Sequence, residues 1–402
     1  MLKVSIKTYG CKVNQYESQL LRENIENCGY LVSDFNSSNI VLINSCCVTE
    51  KAESELRKFV QKSVNKGKKI WLTGCAVKKS NQFISMSGVE VFDDKETLLN
   101  SKLAGLNIIT KFHNRTRAFV KIEDGCENFC AYCIVPYVRG PVRSRKEEDI
   151  LCEVKHLVDN GYKEIVLTGV DLGAYGRDTG KELIGLLESL SRIEGLERIR
   201  ISSLEVVYLN DKVIEYLSTN RLVCTHLHIP LQSGSDNILA LMRRRYTFSD
   251  YIERVALARK KIDGVTFTTD AMVGFPGETE DDFISTCETI EKIGFLKVHI
   301  FRYSKRRETL AYRLENHISE SVKREREKAL CELSEKISNR TKERFIGSFL
   351  DVLVEKKKGE NVFGYSSNYI PVFFSEKRIA NNRVVTVKAE RLIDGKLFCV
   401  KV

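Results

Sequence analysis

The sequence predicts a three-module α/β protein. Residues 1–110 read as an N-terminal βαβ parallel-sheet domain, 111–343 as a central partial (β/α)6 barrel and 344–402 as a small all-β barrel. Three observations predict this. Apolar runs of strand type alternate with helical periodicity through the first two modules, which implies parallel strands and right-handed crossovers. The period switches to 2 after one long charged helix, 319–345. The charge follows the same division. The net +10 comes from residues 1–110 (15 basic, 11 acidic) and 340–402 (13 basic, 7 acidic), while 111–339 carries 36 of each. A neutral centre between basic flanks implies outer modules that face a polyanion; solvated surface lysines are the plainer reading of the same counts.

In chain order, residues 2–8 read as a strand. Residues 14–28 read as a helix with Leu20, Leu21, Ile25 and Cys28 on one face and Gly29 as its stop. Ile40–Ile43 is a second strand. Thr49 caps a second helix with Ala52, Leu56, Val60 and Val64 at helical spacing, and Lys69–Thr73 is a third strand. The middle module has strands at 118–123, 163–168, 197–202, 223–229, 265–269 and 296–303. Helices lie at about 145–160, 182–193, 210–219, 235–262 and 279–293. Ser144 with Glu147 reads as a capping box, and Thr279 with Asp282 as a near match. Six such units suit a parallel sheet, open or partly closed, and are too few for an eight-stranded barrel. The last module has short strands at 348–354, 362–365, 370–374, 384–389 and 397–401, the composition of a small oligonucleotide-binding barrel.

With 43% hydrophobic and 29% charged residues the chain is globular, not disordered. No apolar run approaches the ~20 residues a bilayer requires. The first ten residues, MLKVSIKTYG, lack the apolar core of a signal peptide. A cytoplasmic protein without membrane contact is expected, and its 13 cysteines are expected to be reduced. Cys28, Cys152, Cys224, Cys287, Cys331 and Cys399 fall in helix or strand patterns and read as packing residues.

The other cysteines form two constellations. GCENFCAYC carries Cys126, Cys130 and Cys133 at CxxxCxxC spacing, just past the first strand of the middle module. Three thiolates on so short a loop can converge on one metal centre. A closed zinc site wants four ligands, whereas a four-iron cluster held by three leaves one iron open to a small molecule. Cys11, Cys46 and Cys75 each follow the carboxyl end of one of the first three strands. Adjacent parallel strands lie about 4.8 Å apart, so these thiols can gather at one sheet edge as a second three-cysteine site. Cys47 competes with Cys46; neighbours in an extended segment point opposite ways, and Cys47 is assigned to the sheet side.

These motifs resemble the radical S-adenosylmethionine superfamily, and within it the methylthiotransferases. The likeness runs from the three N-terminal cysteines through GCENFCAYCIVPYVRGPVRSR, HIPLQSGSDNILALMRRRYT and VGFPGET to GYSSNYIPV, which is similar to the core of a TRAM domain. GCKVNQYES and RGPVRSR are most like the branch acting on threonylcarbamoyladenosine at tRNA position 37. Two positions depart from the family pattern, Cys47 and Asp171.

The resemblance implies two 4Fe–4S clusters, on Cys126, Cys130 and Cys133 and on Cys11, Cys46 and Cys75, together with S-adenosylmethionine. It implies a radical that removes hydrogen from carbon 2 of the adenine, the hard chemistry belonging to the cofactor. The partners implied are a tRNA anticodon loop and a low-potential electron donor such as a flavodoxin or ferredoxin. Expected cofactor contacts are Tyr132, Thr168, Gly169, Gln232, Asp270 and Gly274. Asp270 is read at its strand end, as a ribose contact or a turn cap; the loop 273–278 as a cofactor contact or a plain tight turn.

Arg139, Arg143 and Arg145 are read as holding an RNA phosphate, the cofactor carboxylate or a neighbouring carboxylate. Arg243–Arg245 read as a helix-end run that solvent can cover. His226 and His228 share a strand face and read as core histidines. Phe363, Tyr365, Tyr369, Phe373 and Phe374, interleaved with basic residues, read as a base-stacking surface.

Overall fold

The computed structural model describes residues 2–79, 83–103 and 107–402. Its N-terminal module is a five-stranded parallel sheet of β1 (Lys3–Thr8), β2 (Leu31–Val32), β3 (Ile40–Ser45), β4 (Lys69–Gly74) and β5 (Val89–Val91), in the order β2-β1-β3-β4-β5. Three of these are the strands expected from sequence. The edge strands β2 and β5 have two and three residues, too few for a periodic signal. Helices α1 (Lys12–Asn27) and α2 (Glu50–Asn65) make the crossovers, and short helices α3 (Cys75–Lys79) and α4 (Lys95–Lys102) follow β4 and β5. Thr49 caps α2, its hydroxyl accepting the Ala52 N–H at 3.2 Å. The register is what matters for the site: Thr8 lies opposite Asn44, and Ser45 opposite Gly74. The carboxyl ends of β1, β3 and β4 therefore finish side by side.

The middle module is a partial barrel. Strands β6 (Arg117–Lys121), β9 (Glu164–Thr168) and β10 (Arg198–Ile201) form one parallel group, and β11 (His226–His228), β12 (Thr266–Val273) and β13 (Lys297–Arg302) the other. A parallel bridge between Ile199 and Val223 joins them, giving the six strands expected. Between β6 and β9 lies a two-residue hairpin, β7 (Glu123–Asp124) with β8 (Arg143–Ser144), and the short helix α5 (Val135–Arg139). The outer helices are α6 (Glu147–Asp159), α7 (Leu183–Leu190), α8 (Asp211–Thr219), α9 (Asp236–Leu241), α10 (Phe248–Lys261) and α11 (Glu280–Ile293).

Two local expectations are corrected. The helix read over 235–262 is two, because Arg243 takes a positive φ of 56° and Thr247 opens α10 with a full capping box. Ser144 does not cap α6; its hydroxyl instead accepts the Gly176 N–H at 2.8 Å. The Thr279–Asp282 capping box is present on α11.

Helix α12 (Glu320–Glu343) leads to a closed barrel of β14 (Phe349–Lys358), β15 (Asn361–Ser366), β16 (Pro371–Ser375), β17 (Val384–Ile393) and β18 (Lys396–Lys401). This small barrel caps the amino-terminal end of the central one. Arg200 donates to the carbonyls of Ser366 and Ser367, Thr266 donates to that of Asn368, and Arg117 pairs with Glu355 at 2.6 Å. Tyr369 stacks on Tyr365 at 5.0 Å and lies 4.7 Å from the His226 ring. The base-stacking expectation is corrected accordingly. Tyr365 and Tyr369 serve this junction, and Phe374 is fully buried in the small barrel's own core. Phe363 and Phe373, stacked on each other at 6.2 Å, keep exposed area. Among the described residues no helix is long and apolar enough to cross a membrane.

Candidate metal centre

The loop holding Cys126, Cys130 and Cys133 is tied at its base by the β7–β8 hairpin. Gly125 sits there with φ 90°, and a Cβ at that position would fall 1.9 Å from the Pro141 carbonyl oxygen. Only glycine fits so close an approach. The Cys126 N–H donates to Gly140 O at 3.0 Å and the Cys133 N–H to Cys130 O at 2.9 Å, so the loop folds back on itself. The Cys126 sulfur accepts the Asn128 N–H at 3.4 Å.

Burial pushes the Cys126 and Cys133 thiols up to about 12. Thiols in such a setting ionise when a metal takes the proton's place, because a coordinating thiol is deprotonated outright. Among the described residues no three His, Cys, Asp or Glu side chains converge on a single ion. A cluster asks for something else, one thiolate for each of three irons, and three thiols on one loop fit that demand.

Arg244 is the residue the sequence reading missed. Its side chain is 4% exposed, with Nη1 3.3 Å from the Cys130 sulfur and 3.3 Å from the Tyr132 hydroxyl, and it pairs with Glu205. The α9–α10 break aims it inward. The run Arg243–Arg245 is therefore not simply solvated. The Tyr132 ring stands edge-on to Phe275 at 6.5 Å.

On the other side of the loop, Asp171 accepts from Asn128 Nδ2 and the Tyr208 hydroxyl, each at 3.0 Å, and lies 3.9 Å from the Cys126 sulfur. Its second oxygen is buried with no hydrogen-bond partner. Glu123 accepts the Asp171 N–H at 2.7 Å, and burial pushes its carboxyl up to about 8, with Asp124 adding to the rise. Gly169 has a packing reason: a Cβ there would meet Glu123 Oε1 at 2.0 Å. Thr168 is buried at the end of β9.

The second set of cysteines lies along the carboxyl edge of the N-terminal sheet. Cys46 and Cys75 are buried and Cys11 is exposed. Gly10 has φ 105°, and a Cβ there would lie 3.0 Å from Cys46 Cβ. Asn14 ties the edge together, donating to Asn44 Oδ1 at 3.3 Å and Ser45 O at 2.9 Å while accepting from the Cys11 thiol at 3.5 Å. Burial raises the Cys46 thiol, and it takes Cys75 to about 11 against the pull of Arg139. Cys47 is fully buried in the apolar cluster with Ile43, Leu56 and Ala76. Of the six cysteines read as packing residues, Cys28, Cys152 and Cys331 are exposed instead.

A buried ionic network separates the two sets. Arg139 pairs with Glu17 at 3.1 Å and Asp124 at 2.8 Å, and Lys121 with the same two carboxylates at 3.2 and 3.0 Å. Burial alone would raise both carboxyls; Arg139 and Lys121 hold them well below the ordinary range. Of the readings open for Arg139, its described contacts match the carboxylate neighbour. Arg145 likewise pairs with Glu153 at 3.1 Å, while Arg143 is exposed. A cavity of about 440 Å³ beside this network is lined by Cys75, Lys95, Lys121, Asp124, Arg139 and Arg143, among others.

The remaining expected contacts divide. Asp270 lies in mid-strand, since β12 runs on to Val273, and faces His228 at 3.4 Å. Gln232 takes φ 64° and bridges to Ala271. The Gly274 N–H is committed to Glu278 Oε2 at 2.7 Å, so this loop is held as a turn by its own carboxylate.

Residues 120–290 match the Radical SAM superfamily, and residues 3–92 match a family described as Uncharacterized protein family UPF0004. The chain is 36% identical to the threonylcarbamoyladenosine tRNA methylthiotransferase MtaB of Bacillus subtilis, over 96% of this chain and 94% of that protein. It is 38% identical to the protein of that name from Thermotoga maritima, over 97% and 95%. It is also 34% identical to a tRNA-2-methylthio-N(6)-dimethylallyladenosine synthase of Acetivibrio thermocellus, over 99% and 88%. Among solved structures, the radical S-adenosylmethionine methyltransferase TsrM of Kitasatospora setae shares the fold with TM-score 0.58 at 13% identity, over 78% of this chain and 77% of that one.

Proposed function

This chain belongs to the radical S-adenosylmethionine methylthiotransferases that act on threonylcarbamoyladenosine in tRNA, and from that premise we propose how its residues share the reaction. It is a tRNA-modifying transferase that inserts a methylthio group at carbon 2 of N(6)-threonylcarbamoyladenosine at position 37. When bound, S-adenosylmethionine and a 4Fe–4S cluster supply the one-electron chemistry that an unactivated carbon–hydrogen bond demands.

In our reading Cys126, Cys130 and Cys133 hold that cluster. Arg244 donates to the Cys130 sulfur, and Tyr132, Thr168, Gly169, Gln232 and Asp270 surround the cofactor. Gly274 keeps the neighbouring turn closed. Cys11, Cys46 and Cys75 would hold a second 4Fe–4S cluster, whose chemistry would be the delivery of sulfur. Residues 1–110, 111–343 and 344–402 then divide sulfur delivery, radical chemistry and RNA holding. The tRNA anticodon loop presents an unstacked purine at modest cost. A low-potential donor such as a flavodoxin or ferredoxin provides electrons, and the enzyme works in the cytoplasm.

The observation that carries this reading is the pairing of two three-thiol sets, one on the loop after β6 and one on the ends of β1, β3 and β4, in a chain whose relatives are methylthiotransferases. The test is mass spectrometry of tRNA nucleosides from a strain lacking the gene. Accumulation of unmethylthiolated threonylcarbamoyladenosine, restored by the gene, is expected. Accumulation of unmethylthiolated isopentenyladenosine would move the substrate to the other tRNA branch.

A further inference from the structure

The stretch 303–311, which follows β13, touches the segments that carry both sets of cysteines. At its far end the Ala311 N–H donates to Ala131 O at 2.7 Å, and Ala131 stands between Cys130 and Tyr132 on the first loop. Earlier in the same stretch, Arg306 reaches the N-terminal module. Its Nε donates to Val48 O at 3.2 Å, and its Nη1 pairs with Glu53 at 3.1 Å. The Ser304 hydroxyl accepts the Glu50 N–H at 3.4 Å. The two anchors are a fixed step apart. Thr309 donates to Arg306 O from its N–H at 3.0 Å and from its hydroxyl at 2.8 Å, and both residues are 2% exposed. Buried and internally bonded, the stretch is a strut and not a loose loop.

On the N-terminal side these contacts lead to two of the three cysteines. The Val48 N–H donates to the Cys46 sulfur at 3.5 Å, so Val48 binds Cys46 with its N–H and Arg306 with its carbonyl. Glu53 also accepts from Lys79 at 2.7 Å. Lys79 is the last residue of α3, the helix that Cys75 opens, and it lies 3.7 Å from Glu308 of the strut. Among the described residues, Ser304 and Arg306 are the only ones of the central module that hydrogen-bond or pair with 46–53. The contact is distinct from the Arg139 network, which reaches Asn14 and Glu17 on α1.

We propose that Arg306 is a positioning residue for the step that joins the two sites. Through Val48 and Glu53 it sets where the Cys46 turn and α3 stand relative to the loop of Cys126, Cys130 and Cys133. The proposal rests on the functional reading above, in which radical formation and sulfur delivery fall to different sets of cysteines and have to meet at one carbon. Misplacing reacting groups by about 1 Å costs about 100-fold in rate. Arg306 has no hydrogen bond to a cysteine among the described residues. Its loss therefore spares what each site does by itself and reduces what the two do together.

Anaerobically reconstituted full chains of the wild type, Arg306→Met and Arg306→Lys test this. Glu53 keeps Lys79 when Arg306 is replaced, so its charge is not stranded and Arg306→Met is expected to fold. Amide hydrogen exchange over 46–53 should speed up by about tenfold or more in Arg306→Met, with β1, β3 and β4 unchanged. Iron content and 5′-deoxyadenosine formation should stay at the wild-type level, while methylthiolated tRNA per 5′-deoxyadenosine falls by about tenfold or more. The fall should lie in kcat, with KM for tRNA unchanged. Arg306→Lys, which keeps the charge beside Glu53 without the planar fork, should fall between the two. Wild-type exchange over 46–53 in Arg306→Met overturns the proposal, as does a parallel loss of 5′-deoxyadenosine and product, or loss of the iron on Cys11, Cys46 and Cys75. A wild type that forms 5′-deoxyadenosine yet never methylthiolates tRNA overturns the functional reading instead, and the exchange result still decides whether Arg306 holds the turn.

Discussion

Cys126, Cys130 and Cys133 stand on one loop, whereas Cys11, Cys46 and Cys75 arrive from the ends of β1, β3 and β4. The first set is local: a two-residue hairpin and a glycine close its loop. The second is set by sheet register, so residues remote in sequence decide whether its thiols meet. The two are not independent. Arg139 leaves the helix of the first loop and reaches Asn14 at 3.0 Å and Glu17 at 3.1 Å, both on α1 beside the second set. The difference teaches that a spacing motif can be moved as a unit, while a site built on strand ends requires its whole module in place.

The largest expected effect comes from breaking that link. Arg139→Met leaves Glu17 and Asp124 buried with Lys121 as their one remaining ion-pair partner among the described residues, and stranding buried charge costs about 3–5 kcal/mol. Urea unfolding should show this, and iron on Cys11, Cys46 and Cys75 should be lost first. The acid side follows from Glu17, held down to about 2 by Arg139 and Lys121 against the effect of burial. In the wild type its contribution is complete above the unfolded value near 4.5 and disappears as pH falls toward 2. Arg139→Met should lack most of that acid dependence. Wild-type stability in this variant would separate the two sites after all.

Glu123 gives a smaller effect of opposite sign. Its carboxyl is raised to about 8 by burial, so between the unfolded value near 4.5 and pH 8 the folded chain keeps a proton the unfolded chain releases. Wild-type stability therefore falls across that window. Glu123→Gln keeps the acceptor for the Asp171 N–H and should gain about 1–3 kcal/mol on the wild type by pH 8, with little gain at pH 4.5. A gain independent of pH would show that the carboxyl is already ionised.

Cys47 and Cys46 offer the finest contrast. Cys47→Ala removes one buried sulfur from an apolar cluster and should cost about 1 kcal/mol without loss of iron. Cys46→Ala should lose the iron of its set. Equal iron loss from both variants would mean that the neighbours exchange roles.

The local site and the order of elements were legible because CxxxCxxC and strand–helix alternation are short-range signals. The sheet edge was legible through topology, since thiols after three successive parallel strands have to end near one another. What was hidden depended on burial. Arg244 looked like one of three surface arginines until the α9–α10 break turned it onto Cys130. Tyr365 and Tyr369 carried the composition of an RNA surface, yet their neighbours are Arg117, Arg200 and His226 of the central barrel. Sequence could not say which module a β-hairpin loop would cap. Asp270 was misplaced because the strand continues four residues further than its period shows.

Iron content and 5′-deoxyadenosine formation in two triple-alanine variants, one for each set of cysteines, test the two-site arrangement most directly. Each variant should keep about half the wild-type iron. The one lacking Cys11, Cys46 and Cys75 should still form 5′-deoxyadenosine from S-adenosylmethionine without making methylthiolated tRNA; the one lacking Cys126, Cys130 and Cys133 should form neither. Loss of all the iron, or of none, from either variant would contradict two separate three-cysteine sites.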